Sequence, residues 1–218
     1  MLSDLLLTNE RLLRCLGTLK DASADSTNHI CMVDSSFPAV CLDKVAEAYA
    51  SENRFQKFHS TDALVCGRVA ASEPQASDSE VVVLVEFKNG TLVSGSGRPN
   101  RDADGVKMKA YCSVLLLMEL TGVSLAEFRK SVDYVLVYNP LKNEASSAKS
   151  VAVSSTGSLD VLAQHLHDKA HKRFVRFGLH ALEGFCFNKV YTLTTDEFEG
   201  CYLHNVDSAW EGIERSEW

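Results

Sequence analysis

The run Val81-Val-Val-Leu-Val-Glu-Phe-Lys-Asn-Gly90 decides how the chain is read. Five apolar residues in a row, all β-branched or aliphatic and stopped by Asn-Gly, predict a short buried strand. That strand ends in two charges, Glu86 and Lys88, with Phe87 between them. Side chains alternate along a strand, so Glu86 and Lys88 share one face and Phe87 takes the other. A carboxylate and an ammonium together at the end of a core strand mark the place to look for chemistry. An isolated Glu-x-Lys is commonly a surface ion pair, so the neighbours of the run must carry the reading.

Upstream, Ser60-Thr-Asp-Ala-Leu-Val-Cys-Gly-Arg-Val69 predicts a second strand, separated from the first by the loop-forming 71–79. In an antiparallel hairpin the start of one strand lies beside the end of the other. Asp62 is therefore expected level with Glu86 and Lys88. Two carboxylates in one place can hold a divalent cation through oxygen, with water filling the remaining positions. A lysine beside them can orient an attacking water or balance negative charge as it develops.

The rest of the chain predicts a mixed α/β sheet flanked by helices in a single domain, 1–218. Leu5, Leu6, Leu12, Leu13, Leu16 and Leu19 give a helical stripe over 2–20, followed by a polar loop over 21–29. Ser36 and Phe37-Pro38 open a helix expected from Pro38 to Ser51. Thr91-Leu-Val-Ser94 predicts a third strand, and 95–105 is irregular. Val106–Leu120 predicts a buried helix stopped at Gly122. Ser124 and Glu127 form a capping box for a short helix, and Thr194 and Glu197 form another. Val132–Tyr138 is a core strand, Leu159–Arg176 a helix, and Phe185–Leu193 a last strand. Residues 139–218 are C-terminal additions with an excursion over 141–158 that includes a short strand at 151–153. The acidic tail Trp210–Trp218 is expected to be loosely ordered.

The order and chemistry of these residues resemble the PD-(D/E)xK nuclease superfamily, the restriction-endonuclease-like fold. Asp62, Glu86 and Lys88 occupy the motif positions, and the resemblance covers about residues 37–138. It implies an αβββαβ core and Mg²⁺- or Mn²⁺-dependent hydrolysis of DNA or RNA. The metal would be held by Asp62, Glu86 and the backbone carbonyl of Phe87, with Glu47 as the acidic residue from the preceding helix. The RecB-type branch carries Gln-x-x-x-Tyr on the following helix, and Lys107-Met-Lys-Ala-Tyr111 is similar with Lys for Gln, which puts Lys107 among the catalytic residues. Thr61 stands where Pro is frequent. Arg98, Arg101, Lys109 and Tyr111 are the candidate nucleic-acid contacts, although Asp102 and Asp104 lie among them.

Composition bounds these expectations. The 218 residues carry a formal net charge of −7, which excludes binding nucleic acid by bulk charge and leaves a local basic groove. The hydrophobic content of 45% suffices for a real core, and no apolar run approaches the ~20 residues of a membrane span. The N-terminus has neither a basic start nor a small-residue cleavage site, so no signal peptide is expected. Seven scattered cysteines without a Cys-x-x-Cys predict reduced thiols and a cytoplasmic setting. Two other functions compete with the nuclease. One is a non-catalytic module of the same fold acting through a protein partner or a second copy. The other is a zinc hydrolase using His167 and His171, which at i and i+4 share a helix face; Asp168 replaces the glutamate of His-Glu-x-x-His, and no third ligand is evident.

Overall fold

A computed structural model describes residues 2–25, 30–69, 79–143 and 175–210. The chain folds as a mixed α/β protein around one seven-stranded sheet. Its strands are β1 (Leu16–Thr18), β4 (Pro38–Cys41), β5 (Ala63–Val69), β6 (Ser79–Lys88), β7 (Val132–Tyr138) and β8 (Val190–Thr194), in that spatial order. The short β9 (Asp207–Ser208) pairs with β5 at Gly67 and Arg68, in line with β4, which pairs with the start of β5. A separate hairpin joins β2 (Ala24–Asp25) to β3 (Ile30–Cys31). From β1 to β6 neighbours are antiparallel; β6, β7 and β8 are parallel.

The apolar run at 81–85 is the middle of β6, and from Val82 onward it is paired on both sides, so its side chains are buried on both faces of the sheet. Alternation sends Val82 and Leu84 to the larger core and Val83, Val85 and Phe87 to the smaller one on the opposite face. Helix α5 (Arg101–Thr121) covers the larger core with Ala103, Val106, Ala110, Ser113, Val114 and Leu117. It forms the crossover between the parallel strands β6 and β7, a connection that requires a long element. Asn100 caps its start, accepting hydrogen bonds from the Asp102 and Ala103 amides. Gly122 ends it in the left-handed conformation, φ 71°, donating to the Met118 carbonyl. The chain then turns 112° into α6 (Leu125–Ser131), where the Ser124–Glu127 capping box is formed. Thr194 and Glu197 form the second box. Among the described residues no single helix is long and apolar enough to cross a membrane. All seven cysteines are free thiols.

Several elements differ from the sequence reading. The leucine-rich 2–20 is not one helix but α1 (Leu2–Leu7), α2 (Glu10–Leu13), β1 and α3 (Leu19–Ala22). Asn9 turns its side chain back onto the Arg11 and Leu12 amides, and Thr18 makes a capping box with Asp21, so each restarts the chain locally. Pro38–Cys41 is a strand, because it pairs with β1 and β5; the helix that follows, α4, begins at Leu42 and ends at Asn53. Thr91–Ser94 is not a strand and makes a single bridge, Val93 to Pro99. In chain order the core thus runs β4, α4, β5, β6, α5, β7. The strand expected over Phe185–Leu193 is β8, Val190–Thr194; 185 and 186 belong to the preceding turn, and the short β9 follows it in the chain. Trp210, placed by sequence in a loose tail, is buried at 1% exposure. The loop over 71–78, the strand at 151–153 and nearly all of the helix at 159–176 lie outside the described residues, as do 211–218.

Gly67 shows how tightly β9 closes on β5. A Cβ there would lie 2.7 Å from the Asp207 carbonyl oxygen and overlap the Val206 side chain. Gly67→Ala is expected to destabilise the fold by roughly 1–3 kcal/mol through overpacking, measurable by urea denaturation.

Candidate active site

Asp62 stands immediately before β5. Its amide donates to the Val85 carbonyl and its carbonyl accepts from the Leu42 amide, both at 3.1 Å. The last backbone pair of the hairpin is Ala63 opposite Val85, so one step further Asp62 is opposite Glu86. There the ladder stops. Thr61 turns away, donating its amide to Ser113 Oγ of α5 at 2.7 Å. The rung that Thr61 vacates is filled by the Asp62 side chain: Phe87 N–H donates to Asp62 Oδ2 at 2.6 Å. A proline at 61 has no N–H for Ser113, so Thr61 suits this peel-off where proline does not.

Lys109 of α5 closes the arrangement from above. Its Nζ donates to Asp62 Oδ1 at 3.1 Å and to Glu86 Oε1 at 2.8 Å. Asp62 and Glu86 are therefore a single ammonium apart. Glu86 is buried at 1% exposure, and its second oxygen, Oε2, has no hydrogen-bond partner among the described residues. The Tyr134 hydroxyl, on the same face of the adjacent strand, is also buried without a partner among the described residues.

The electrostatics follow from two carboxylates facing one ammonium with little water. Burial pushes the Glu86 carboxyl well above its ordinary value; the Asp62 charge adds to this and Lys109 opposes it. Burial also raises Asp62, held back by Lys109 and the Phe87 N–H. For Lys109, burial pulls downward, but Glu86 and Asp62 together outweigh it and the ammonium is held above its usual range. Burial first, then Glu86 and Asp62, raises Tyr134.

Lys88 is two residues beyond Glu86 on the same face and half-buried. It makes no ion pair among the described residues. With Asp43, Asp62, Glu86, Phe87 and Lys109 it lines a cleft of about 290 Å³. The opposite wall is the β2–β3 hairpin with Ser23, Ile30 and Met32, a feature the polar sequence of 21–29 does not announce. The Lys88 carbonyl accepts from Asn139 on the β7 side. Backbone groups of successive strand residues face opposite edges, so the Phe87 carbonyl faces the β5 edge, beyond the last rung and on the side of Asp62.

Asp62 and Glu86 come together as the hairpin predicted, and Lys88 and Phe87 line the same cleft. Other candidates do not. Glu47 is exposed and its carboxylate meets Lys57 at 3.1 Å. Because α4 starts at Leu42, Asp43 is the residue of this helix that lines the cleft. Lys107 pairs with Asp104 at 3.1 Å, with its ammonium against Gly178, and Tyr111 packs edge-on against Phe185. Residues two apart on a helix point nearly opposite ways, so Lys109 and Ser113 face the site and Lys107 and Tyr111 face away. Lys109, expected to touch nucleic acid, instead sits between the acids. Arg98 and Arg101 are exposed and do not line the cleft. His167 and His171 lie outside the described residues.

Among the described residues no group of three His, Cys, Asp or Glu converges as a metal cage. The donors at hand are two carboxylates and one carbonyl, hard oxygen ligands that suit a cation retaining much of its water, as Mg²⁺ does. The unpartnered Glu86 Oε2 and the ammonium already seated between the acids both fit a place built for positive charge. No family model, curated protein or solved structure matches the chain.

Proposed function

We propose that the chain is a Mg²⁺- or Mn²⁺-dependent phosphodiesterase acting on DNA or RNA. The observation that carries the reading is the opposition of Asp62 and Glu86 at the end of a core hairpin, with Lys88 on the lip of the same cleft. Asp62, Glu86 and the Phe87 carbonyl would hold the ion. When bound, it would supply Lewis-acid activation of a phosphoryl oxygen and of water. The Phe87 N–H fixes one oxygen of Asp62, so the carboxylate cannot rotate out of place. Burial fixes Glu86 in the same way. Lys88, without an ion pair among the described residues, holds a phosphate oxygen or the attacking water in the cleft and balances the charge that develops there. The acidic balance of the whole chain makes binding of the polyanion weak and strongly salt-dependent.

The test is cleavage of single- and double-stranded DNA and RNA with Mg²⁺ or Mn²⁺. Activity should stop with chelator, and Glu86→Ala and Lys88→Ala should each lower it about a hundredfold or more without altering the circular dichroism spectrum. Unchanged activity in both variants ends the proposal.

One observation favours a non-catalytic module acting through protein contacts: the Lys109 ammonium already bonds both acids. Calorimetry separates the two. Absence of Mg²⁺ and Mn²⁺ binding at millimolar concentration, with no nucleic-acid binding at low salt, supports the module.

A further inference from the structure

We propose that Lys109 is a tethered occupant of the cation seat: a divalent ion enters between Asp62 and Glu86 only by displacing the Lys109 ammonium. This inference rests on the metal-dependent reading and specifies what controls metal entry.

The seat has one movable wall. Asp62 Oδ2 is tied to the Phe87 amide, and the Asp62 backbone is bonded to both β6 and α4. The Glu86 side chain is 2% exposed and has no open side to move into. The Lys109 side chain is 27% exposed and lines the cleft, on a stem with four rotatable carbons. It is the member that can leave. On leaving, it moves into the cleft mouth beside Lys88, where a second free ammonium meets incoming phosphate. Lys107 cannot substitute, because it lies on the opposite flank of α5 against Gly178.

Charge gives the direction. With both acids ionised, two carboxylates facing one ammonium leave the seat short of one positive charge. A divalent ion in place of Lys109 neutralises the pair. A divalent ion beside Lys109 would crowd two cations onto the same two oxygens. A monovalent ion gains nothing over the ammonium already there and carries no tether. Lys109 therefore sets both the threshold for metal binding and the preference for divalent over monovalent ions, a property the two acids alone would not have.

The test uses the full chain and Mn²⁺ or Mg²⁺ alone. By calorimetry, Lys109→Met should bind Mn²⁺ at least about tenfold tighter than the unaltered chain, because the competitor is gone. Lys109→Arg should bind at least about tenfold more weakly, since a planar fork holds two carboxylates better than an ammonium. A measurement on the unaltered chain does not depend on either variant folding. In ¹⁵N-lysine NMR the sheltered Lys109 ammonium signal should disappear as Mg²⁺ is added, at the calorimetric midpoint, and should persist in the same concentration of K⁺. Persistence of that signal at saturating Mg²⁺, or Mn²⁺ binding by Lys109→Met no tighter than by the unaltered chain, overturns the inference. If the unaltered chain still binds Mn²⁺ and Glu86→Gln loses it, the metal reading survives that failure. Absence of binding in both the unaltered chain and Lys109→Met sinks the metal reading as well. Binding by Lys109→Met alone supports the displaced-ammonium control.

Discussion

Lys109→Met is expected to cost about 3–5 kcal/mol of folding stability at pH 7 without metal, because removing one partner strands buried charge. Here two carboxylates would be stranded, one of them 1% exposed. The loss should be pH-dependent, and its sign follows from the acids. Burial raises both Asp62 and Glu86 above their ordinary values, so the folded chain binds protons more tightly than the unfolded chain. Stability contributed by such groups is present at low pH and is lost as pH rises from the ordinary carboxylate range through the raised folded values. Without Lys109 those values rise further, so the variant should regain stability as pH falls from neutral toward about 4. In the unaltered chain the ammonium flattens this trend. Lys109 is itself raised, so its contribution is complete below the ordinary lysine range and is lost only at strongly alkaline pH. Urea denaturation between about pH 4 and pH 8 checks the slope. Adding Glu86→Gln to Lys109→Met should restore at least about 2 kcal/mol at pH 7. An equal loss at every pH, or no restoration in the double variant, would show that Lys109 acts through packing of its stem and not through the acids.

Trp210→Ala is expected to be as damaging, at about 3–5 kcal/mol. The residue is 1% exposed and belongs to the larger core, although it follows a two-residue strand near the end of the described chain. Its position is fixed by the Ala209 N–H donating to the Cys66 carbonyl and the Trp210 N–H donating to the Ser208 side-chain Oγ. The substitution leaves a large void between these anchored segments, and the sheet edge cannot collapse to fill it. The indole N–H is buried without a partner among the described residues. Trp210→Phe removes that unsatisfied donor while keeping much of the volume, so it should cost under about 1.5 kcal/mol. A pair of urea melts compares the two. A Trp210→Ala loss below about 1 kcal/mol would mean that 207–210 does not close the core. Both effects are large for a domain of ordinary stability, which is only about 5–15 kcal/mol.

The site was legible to the extent that it obeys pairing rules. Antiparallel strands align by counting, so a strand start at Asp62 and a strand end at Glu86 must meet once the hairpin forms. Alternation then fixes Glu86 and Lys88 on one face. The caps at Ser124 and Thr194 and the stop at Gly122 were readable for a similar reason, because the residues that make the geometry are within a turn of one another. The N-terminal stretch misled because leucine spacing reports only which residues seek burial. Asn9 and Thr18 decide where the backbone breaks, and β1 exists only because β4 is there to pair with it. Pro38–Cys41 has the same dependence.

Lys107 and Lys109 mark the limit more sharply. They flank the buried stripe of α5 on opposite sides, so periodicity alone treats them alike. The side that faces the cleft is set by how the helix is rotated over β6, through Ser113 on Thr61 and Tyr111 on Phe185. The same holds for Asp43 over Glu47, which depends on α4 starting after β4. By itself the sequence determined the strand hairpin, the opposed acids and the face that carries Lys88, because those follow from the two-residue repeat of a strand and the register of a pair. Only the tertiary structure decided which lysine enters the site, how Trp210 closes the core and that the β2–β3 hairpin walls the cleft, because helix rotation and edge pairing are settled by contacts between segments far apart in the chain.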